Sequence, residues 1–258
     1  MIISLAIQKG GSGKTTTAVN LGARLRDLGR KVLLIDMDPQ ANLSQSLGFI
    51  ENHNPNISHL IRSFFRGEDA YISNAIYEAN GMDLVPASHE LGDAELELVS
   101  TYNREHLLKM LLEEVNDQYD NIIIDCPPSV GLLTINALSA SNFVILPLQA
   151  EFLPLKGVES FMHRFNIVRK QLNPQIKVLG YLLTKFEPRK KMNQQIWERL
   201  HNEFGKTVFN TRIRSNITLA HAQENGQDIF SYDSRCNGAQ DYENLTAEVL
   251  ERINLEKQ

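Results

Sequence analysis

Continuous apolar runs, not alternating ones, recur along this chain. Ile2–Ile7, Lys31–Asp36, Ile122–Asp125, Phe143–Leu146 and Ile176–Leu183 are made mostly of consecutive apolar residues. A strand that is apolar on both faces belongs in a parallel sheet covered by helices. Between the first two runs Ala18, Leu21, Leu25 and Leu28 recur at helical spacing, and Gly29 stands where a C-cap glycine would. Strand, crossover helix, strand is a parallel βαβ unit, with its ligand at the strands' C-terminal ends. Further amphipathic helices are predicted from Leu107, Leu108, Leu111, Leu112 and Val115, and from Leu155, Val158, Phe161, Met162, Phe165 and Val168. Leu245, Val249 and Ile253 mark a terminal helix docked on the core. Shorter helices are expected near Ile57–Phe65 and Ala94–Ser100, a polar turn at Asn52–Asn56, and a short edge strand at Asp83–Pro86. The pattern specifies an α/β fold: a mostly parallel, twisted sheet with helices on both faces.

The first strand runs into Gln8-Lys9-Gly10-Gly11-Ser12-Gly13-Lys14-Thr15-Thr16, and a helix opens near Lys14. Glycines let the backbone wrap closely around phosphate oxygens, and the turn's N–H groups and the helix N-terminus supply positive potential. Lys14 would reach the β/γ-phosphates and the Thr15 hydroxyl would ligate Mg²⁺. The strict P-loop pattern fails only at its first glycine, where Gln8 stands. A glycine-rich turn with an incidental lysine is the bland alternative, but three glycines, two lysines and two threonines in register argue against it. A dinucleotide fingerprint fits Gly11-Ser12-Gly13 and Asp36, yet its third glycine position is Thr16 and it has no use for Lys14.

The string Lys9-Gly10-Gly11-Ser12-Gly13-Lys14-Thr15-Thr16 resembles the deviant Walker A motif of the ParA/MinD group of dimerising ATPases. Three further strings, in the same order, resemble the ParA/Soj branch. They are Asp36-Met37-Asp38-Pro39-Gln40, the Walker B-like Ile122-Ile123-Ile124-Asp125-Cys126-Pro127-Pro128-Ser129, and Tyr242 with Leu245 near the C-terminus. Pro147, Gln149 and Glu151, with Gly157, also look like the partition ATPases. The resemblance covers nearly the whole chain and implies a three-layer P-loop NTPase fold. It implies one ATPase domain over residues 1–258, with no N-terminal helix-turn-helix extension because the first strand starts at residue 2. ATP and Mg²⁺ are the implied cofactors, held by residues 10 to 16. Lys9 would reach the partner's nucleotide across an ATP-bound homodimer. Asp125 would hold Mg²⁺ through water, Asp36 would support the metal from behind, and Asp38 would position the attacking water. Pro39 and Gln40 would sense the γ-phosphate. Relatives read Ile-Pro-Arg-Asn where this chain has Ile213-Arg214-Ser215-Asn216, with the proline and asparagine beside the adenine. Asn216 matches, Arg214 replaces the proline, Ser215 replaces the arginine, and His221 stands where glutamate is common. The adenine contacts and the DNA face are therefore left open.

Two cysteines in 258 residues suit a reducing cytosol and argue against a disulfide framework. Cys126 reads as a small buried residue and not a cluster ligand, because its one companion is the distant Cys236. His53 and His59 do not have metal-ligand spacing. With no leader and no apolar stretch long enough to span a bilayer, the expected location is cytoplasmic, without a membrane partner. The net charge of −5 argues against a molecule that is basic overall. From Lys185 to Ser215, however, eight basic residues face three acids. A solvated helical face is the default for such a run. By the resemblance, Lys185, Arg189, Lys190, Lys191, Arg212 and Arg214 become candidates for non-specific DNA binding, which needs only a density of cations.

The resemblance thus implies a nucleoid-associated, DNA-partitioning ATPase stimulated by a ParB-like or cargo-adaptor protein. The same cycle positioning a carboxysome or chemoreceptor array is one alternative. A metabolic amidoligase of the superfamily is another, expected to add a substrate or glutamine-handling domain for which no residues remain here. A membrane-positioning ATPase is disfavoured by a terminal helix without a basic polar face or aromatic anchors.

Overall fold

The computed structural model describes residues 1–49, 53–150 and 155–256. Eight strands form one sheet: β1 (Ile2–Leu5), β2 (Val32–Asp36), β3 (Tyr77–Ala79), β4 (Met82–Val85), β5 (Asn121–Asp125), β6 (Phe143–Gln149), β7 (Lys177–Phe186) and β8 (Val208–Arg214). Their order is β3-β4-β2-β5-β1-β6-β7-β8, and every adjacent pair is parallel except β3 with β4. The continuous apolar runs occupy the middle of the sheet, where β1, β2 and β5 are buried at every position. Asp36 and Asp125 are partners in the β2–β5 register, and Leu5 of β1 pairs with Asp125. The turns that follow these three strands therefore converge on one end of the sheet.

The helices in the first half are α1 (Lys14–Asp27), α2 (Asn42–Ser46), α3 (Ile57–Phe65), α4 (Glu90–Leu98), α5 (Leu107–Glu113) and α6 (Leu132–Ala140). Those in the second half are α7 (Leu155–Gln171), α8 (Lys191–Phe204), α9 (Ile217–Glu224), α10 (Ile229–Asp233) and α11 (Asn237–Glu256). Alternate strand residues feed two cores. Leu34, Ile123 and Ile145 meet Leu21 and Leu25 of α1 and Tyr242, Leu245 and Val249 of α11. Leu33, Ile35, Ile122 and Val144 face the other way, toward Leu91, Leu108, Leu133, Phe161 and Phe165. Fully burying one such side chain is worth about 1.5–3 kcal/mol, so both layers are needed to cover the sheet. Helix α1 lies close on it because Gly22 has no Cβ, which would sit 2.9 Å from Leu34 Cδ2.

Several expectations are corrected. The strand foreseen at Asp83–Pro86 is not an edge, because β4 lies between β2 and β3. The hairpin strand β3 and the edge strand β8 had no apolar run to announce them. The basic stretch is shared by the end of β7, by α8 and by β8. Asn52 and Glu151 lie outside the described residues, as does the side chain of Leu155. Edge strand β8 is capped by α11, where Glu248 accepts from the Asn210 and Thr211 amides and Asp241 from the Arg214 amide. Such capping withholds the N–H groups that an exposed edge offers to another chain. Burial pushes the Glu248 carboxyl upward, but these amides and Arg252 hold it below the ordinary value.

Candidate nucleotide-binding site

After β1 the chain turns through Gly11 (φ 67°) and Gly13 (φ 90°), left-handed conformations that disfavour a side chain. Gly13 starts α1 without any side-chain cap, so the first-turn amides of α1 stay available for an anion. Two neighbours brace this loop from the sheet. The Gln149 amide donates to the Gly11 carbonyl, and Thr184 Oγ1 donates to the Ser12 carbonyl at 2.8 Å. A Cβ on Gly13 would come within 3.3 Å of Thr184 Cγ2. Thr184 thus has a job that its place in the sequence did not reveal.

Lys14 is buried, and its ammonium donates to the Lys9 carbonyl at 3.1 Å. Thr15 Oγ1 donates to Asp125 Oδ2 at 2.6 Å. The other oxygen, Asp125 Oδ1, is buried without a hydrogen-bond partner. Burial, and then the neighbouring Asp36, push the Asp125 carboxyl well above its usual range, against the pull of Thr15 and Lys14. An orphaned carboxylate oxygen beside a hydroxyl suits a hard divalent cation and its waters. These residues therefore fit Mg²⁺.

Asp36 is fully engaged. Its Oδ2 accepts from the amide and hydroxyl of Ser44 at 2.9 and 2.8 Å, and its Oδ1 from the Asp38 amide at 3.1 Å. Burial raises it to about 6, with the Ser44 and Asp38 hydrogen bonds pulling the other way. Asp36 therefore holds the turn that presents Asp38. Asp38 Oδ1 accepts from the Gln40 amide at 3.0 Å, and both residues line the cleft.

The cleft encloses about 650 Å³, in the usual range for a small-molecule site. Residues 10 to 16 line it, joined by Ile213, Arg214, Asn216, Leu219 and Tyr242 from the C-terminal third. Asn216 Oδ1 caps α9 by accepting from the Thr218 amide at 2.9 Å. Gln223, on α9, had no signal in the sequence. Its amide accepts from Thr16 Oγ1 at 3.2 Å and donates to Ser46 Oγ at 3.1 Å, tying α1 to α2. Lys9 contributes its carbonyl to Lys14 but is not among the residues that line this cleft; with Pro147, Leu148 and Val158 it borders a separate small hollow.

The candidate DNA-contacting residues are not brought together as one free cationic face. The Arg214 guanidinium is clamped by Asp241 at 2.9 and 2.6 Å. Arg212 lies between the rings of Phe186 and Trp197, 4.8 Å from each centroid. Lys190 pairs with Glu187 at 2.6 Å. Arg189 and Lys191 are exposed near the start of α8, whereas Lys185 lines the nucleotide cleft. Cys126 is buried behind Asp125, and burial raises its thiol far above the ordinary value. His53 packs against Phe49 and Tyr77, and His59 against Asn56.

A family model described as an AAA domain matches residues 1–178. The chain is 41% identical over 250 residues to the sporulation initiation inhibitor protein Soj of Bacillus subtilis, covering 96% of this chain and 97% of that one. It is 40% identical over 247 residues to the chromosome-partitioning ATPase Soj of Treponema pallidum, 95% of each chain. The chain belongs to the Soj/ParA family of P-loop ATPases. A crystal structure of cobyrinic acid a,c-diamide synthase from Mycobacterium smegmatis, with bound ATP analog and magnesium, superposes with TM-score 0.85. It is 32% identical and covers 98% of this chain and 95% of that one. A protein bearing an amidoligase name thus matches this Soj/ParA chain over nearly its whole length, so an added domain does not separate the two readings. Among the described residues no helix is long and apolar enough to cross a membrane.

Proposed function

We propose that this protein is an ATP-driven positioning switch that partitions DNA. ATP binds along residues 10 to 16, with Lys14 on the phosphates and Thr16 beside them. Thr15 and Asp125 would hold Mg²⁺, and Asp36 supports the site by fixing the Asp38 turn. The bound cation would neutralise the desolvated carboxylates and draw charge from the phosphates. Asp38 positions the attacking water.

The observation that carries this reading is the division of labour between two lysines. Lys14 lines the cleft, whereas Lys9 is absent from the lining of its own chain's cleft. A cation placed there can serve a nucleotide held by a second copy, and it makes the dimer dependent on ATP, since without phosphates the like charges repel. The homodimer carries two copies of Arg189 and Lys191 and binds DNA without sequence preference. A ParB-like or cargo-adaptor protein stimulates hydrolysis, and the dimer on DNA is nucleoid-associated. A carboxysome or chemoreceptor array is the alternative cargo of the same cycle.

The deciding experiment measures binding of random-sequence duplex DNA by wild type and Lys9→Ala, with ATP–Mg²⁺ and with ADP, across salt. ATP-only binding is expected, lost in the variant and weakening with a log–log slope of about −0.9 per phosphate neutralised. Binding that ignores the nucleotide, or survives in Lys9→Ala, overturns the switch. The similarity to the diamide synthase favours a second reading, an ATP-dependent amidation. ATP turnover that requires glutamine or ammonia and a carboxylate acceptor would establish it.

A further inference from the structure

Four non-glycine residues among those described have a positive φ: Ala41, Asn80, Asn103 and Lys185. Asparagine tolerates the left-handed region; alanine and lysine do so poorly. Both of the poorly suited residues sit at the cleft. Ala41 lies between the lining residues Gln40 and Asn42, and Lys185 lines the cleft itself. Backbone strain of this kind persists where surroundings enforce it, and it collects at ligand sites.

Lys185 (φ 50°) lies within β7, at an irregularity in the β7–β8 register between Leu183 and Phe186. Thr184 before it is buried and braces Ser12, and Phe186 after it is buried in the core. A left-handed position at such an irregularity is ordinarily a place for glycine. The lysine is exposed, and its ammonium has no acidic or hydrogen-bonding partner among the described residues. Lys190, Arg212 and Arg214, from the same basic stretch, are held by Glu187, two aromatic rings and Asp241. Lys185 is thus an uncommitted cation in the cleft lined by the phosphate loop and Ile213–Asn216.

We propose that Lys185 is a nucleotide-holding residue and not part of a DNA-binding face. Its aliphatic stem covers the nucleoside and its ammonium serves the phosphates of a bound nucleoside di- or triphosphate. This rests on the nucleotide reading above and adds a residue to it. Because Lys185 is on the strand that braces Ser12, it acts on ADP and ATP alike, unlike a lysine that senses a second copy's γ-phosphate.

The test compares wild type with Lys185→Gly, Lys185→Asn and Lys185→Arg by titration with fluorescent ADP and ATP, alongside thermal melting. Glycine and asparagine accept the backbone conformation, so these variants keep or raise the melting temperature. Their affinity for both nucleotides is expected to fall by about tenfold, the scale of one charge-assisted hydrogen bond, with recovery in Lys185→Arg. Wild-type affinity in the glycine and asparagine variants overturns the proposal, as does a loss of affinity that only tracks a lowered melting temperature. Unchanged nucleotide affinity with weakened ATP-dependent DNA binding also overturns it and returns Lys185 to the basic face. Absence of nucleotide binding by wild type overturns the broader reading as well.

Discussion

Thr15 and Asp125 are 110 positions apart in the chain and share a hydrogen bond of 2.6 Å. The start of α1 and the end of β5 meet there because β1 and β5 are neighbours in register, Leu5 opposite Asp125. The pair leaves one carboxylate oxygen buried and unpartnered, which is the feature a cation and its waters would satisfy.

Replacing Thr15 by valine keeps the volume and removes the donor. Mg²⁺-dependent tightening of nucleotide binding is expected to weaken by about 10- to 100-fold, the usual cost of disturbing groups that orient a metal. Titration of ATP with and without Mg²⁺ checks it; equal Mg²⁺ enhancement in the variant would remove Thr15 from the metal site.

Asp38→Ala deletes the carboxylate that accepts from the Gln40 amide but leaves Asp36 holding the turn. Phosphate release is expected to fall by about a hundredfold or more, with nucleotide affinity retained and the ATP-dependent complex long-lived. Turnover at the wild-type rate would exclude Asp38 from positioning water.

The nucleotide-free protein should lose stability as pH rises from about 4 to 6. Asp36 is raised in the fold to about 6 from 3.8, so over that window the folded state binds more protons than the unfolded one. Its contribution is fully present below the unfolded value and gone above the folded one, on the order of 3 kcal/mol in total. Thermal melts across pH should show the decline, and Asp36→Asn should lessen it, the remainder coming from Asp125, whose carboxyl burial also raises. A slope identical in the variant would refute the assignment.

Glu248→Ala removes the acceptor for two amides of edge strand β8 and a partner of Arg252. Unfolding should become easier by about 1–3 kcal/mol, and self-association should rise because the edge is uncapped. Denaturant titration and light scattering read the two effects; neither change would mean that α11 does not protect the edge.

The central strands were legible because a strand buried on both faces must be apolar at every position, as in Leu33, Leu34 and Ile35. The phosphate loop was legible because glycines, lysine and threonines act within one local turn. Edge strands escaped notice. In β8, Asn210, Thr211, Arg212 and Arg214 read as polar surface, and only their caps on α11 and their place beside β7 make them a strand.

What the chain determined by itself was therefore local or periodic: the buried strands, the helix stripes and the order of the phosphate and carboxylate motifs. Tertiary structure decided which charges are free. Arg214 lost its availability to Asp241, 27 positions later, and the half-buried Arg212 packs against Phe186 and Trp197. Lys185, in a left-handed conformation where the β7–β8 register shifts, was left uncommitted in the cleft. Charge along a chain counts ions, whereas ion pairing depends on distances of a few ångströms, and those exist only after the sheet has brought remote segments together.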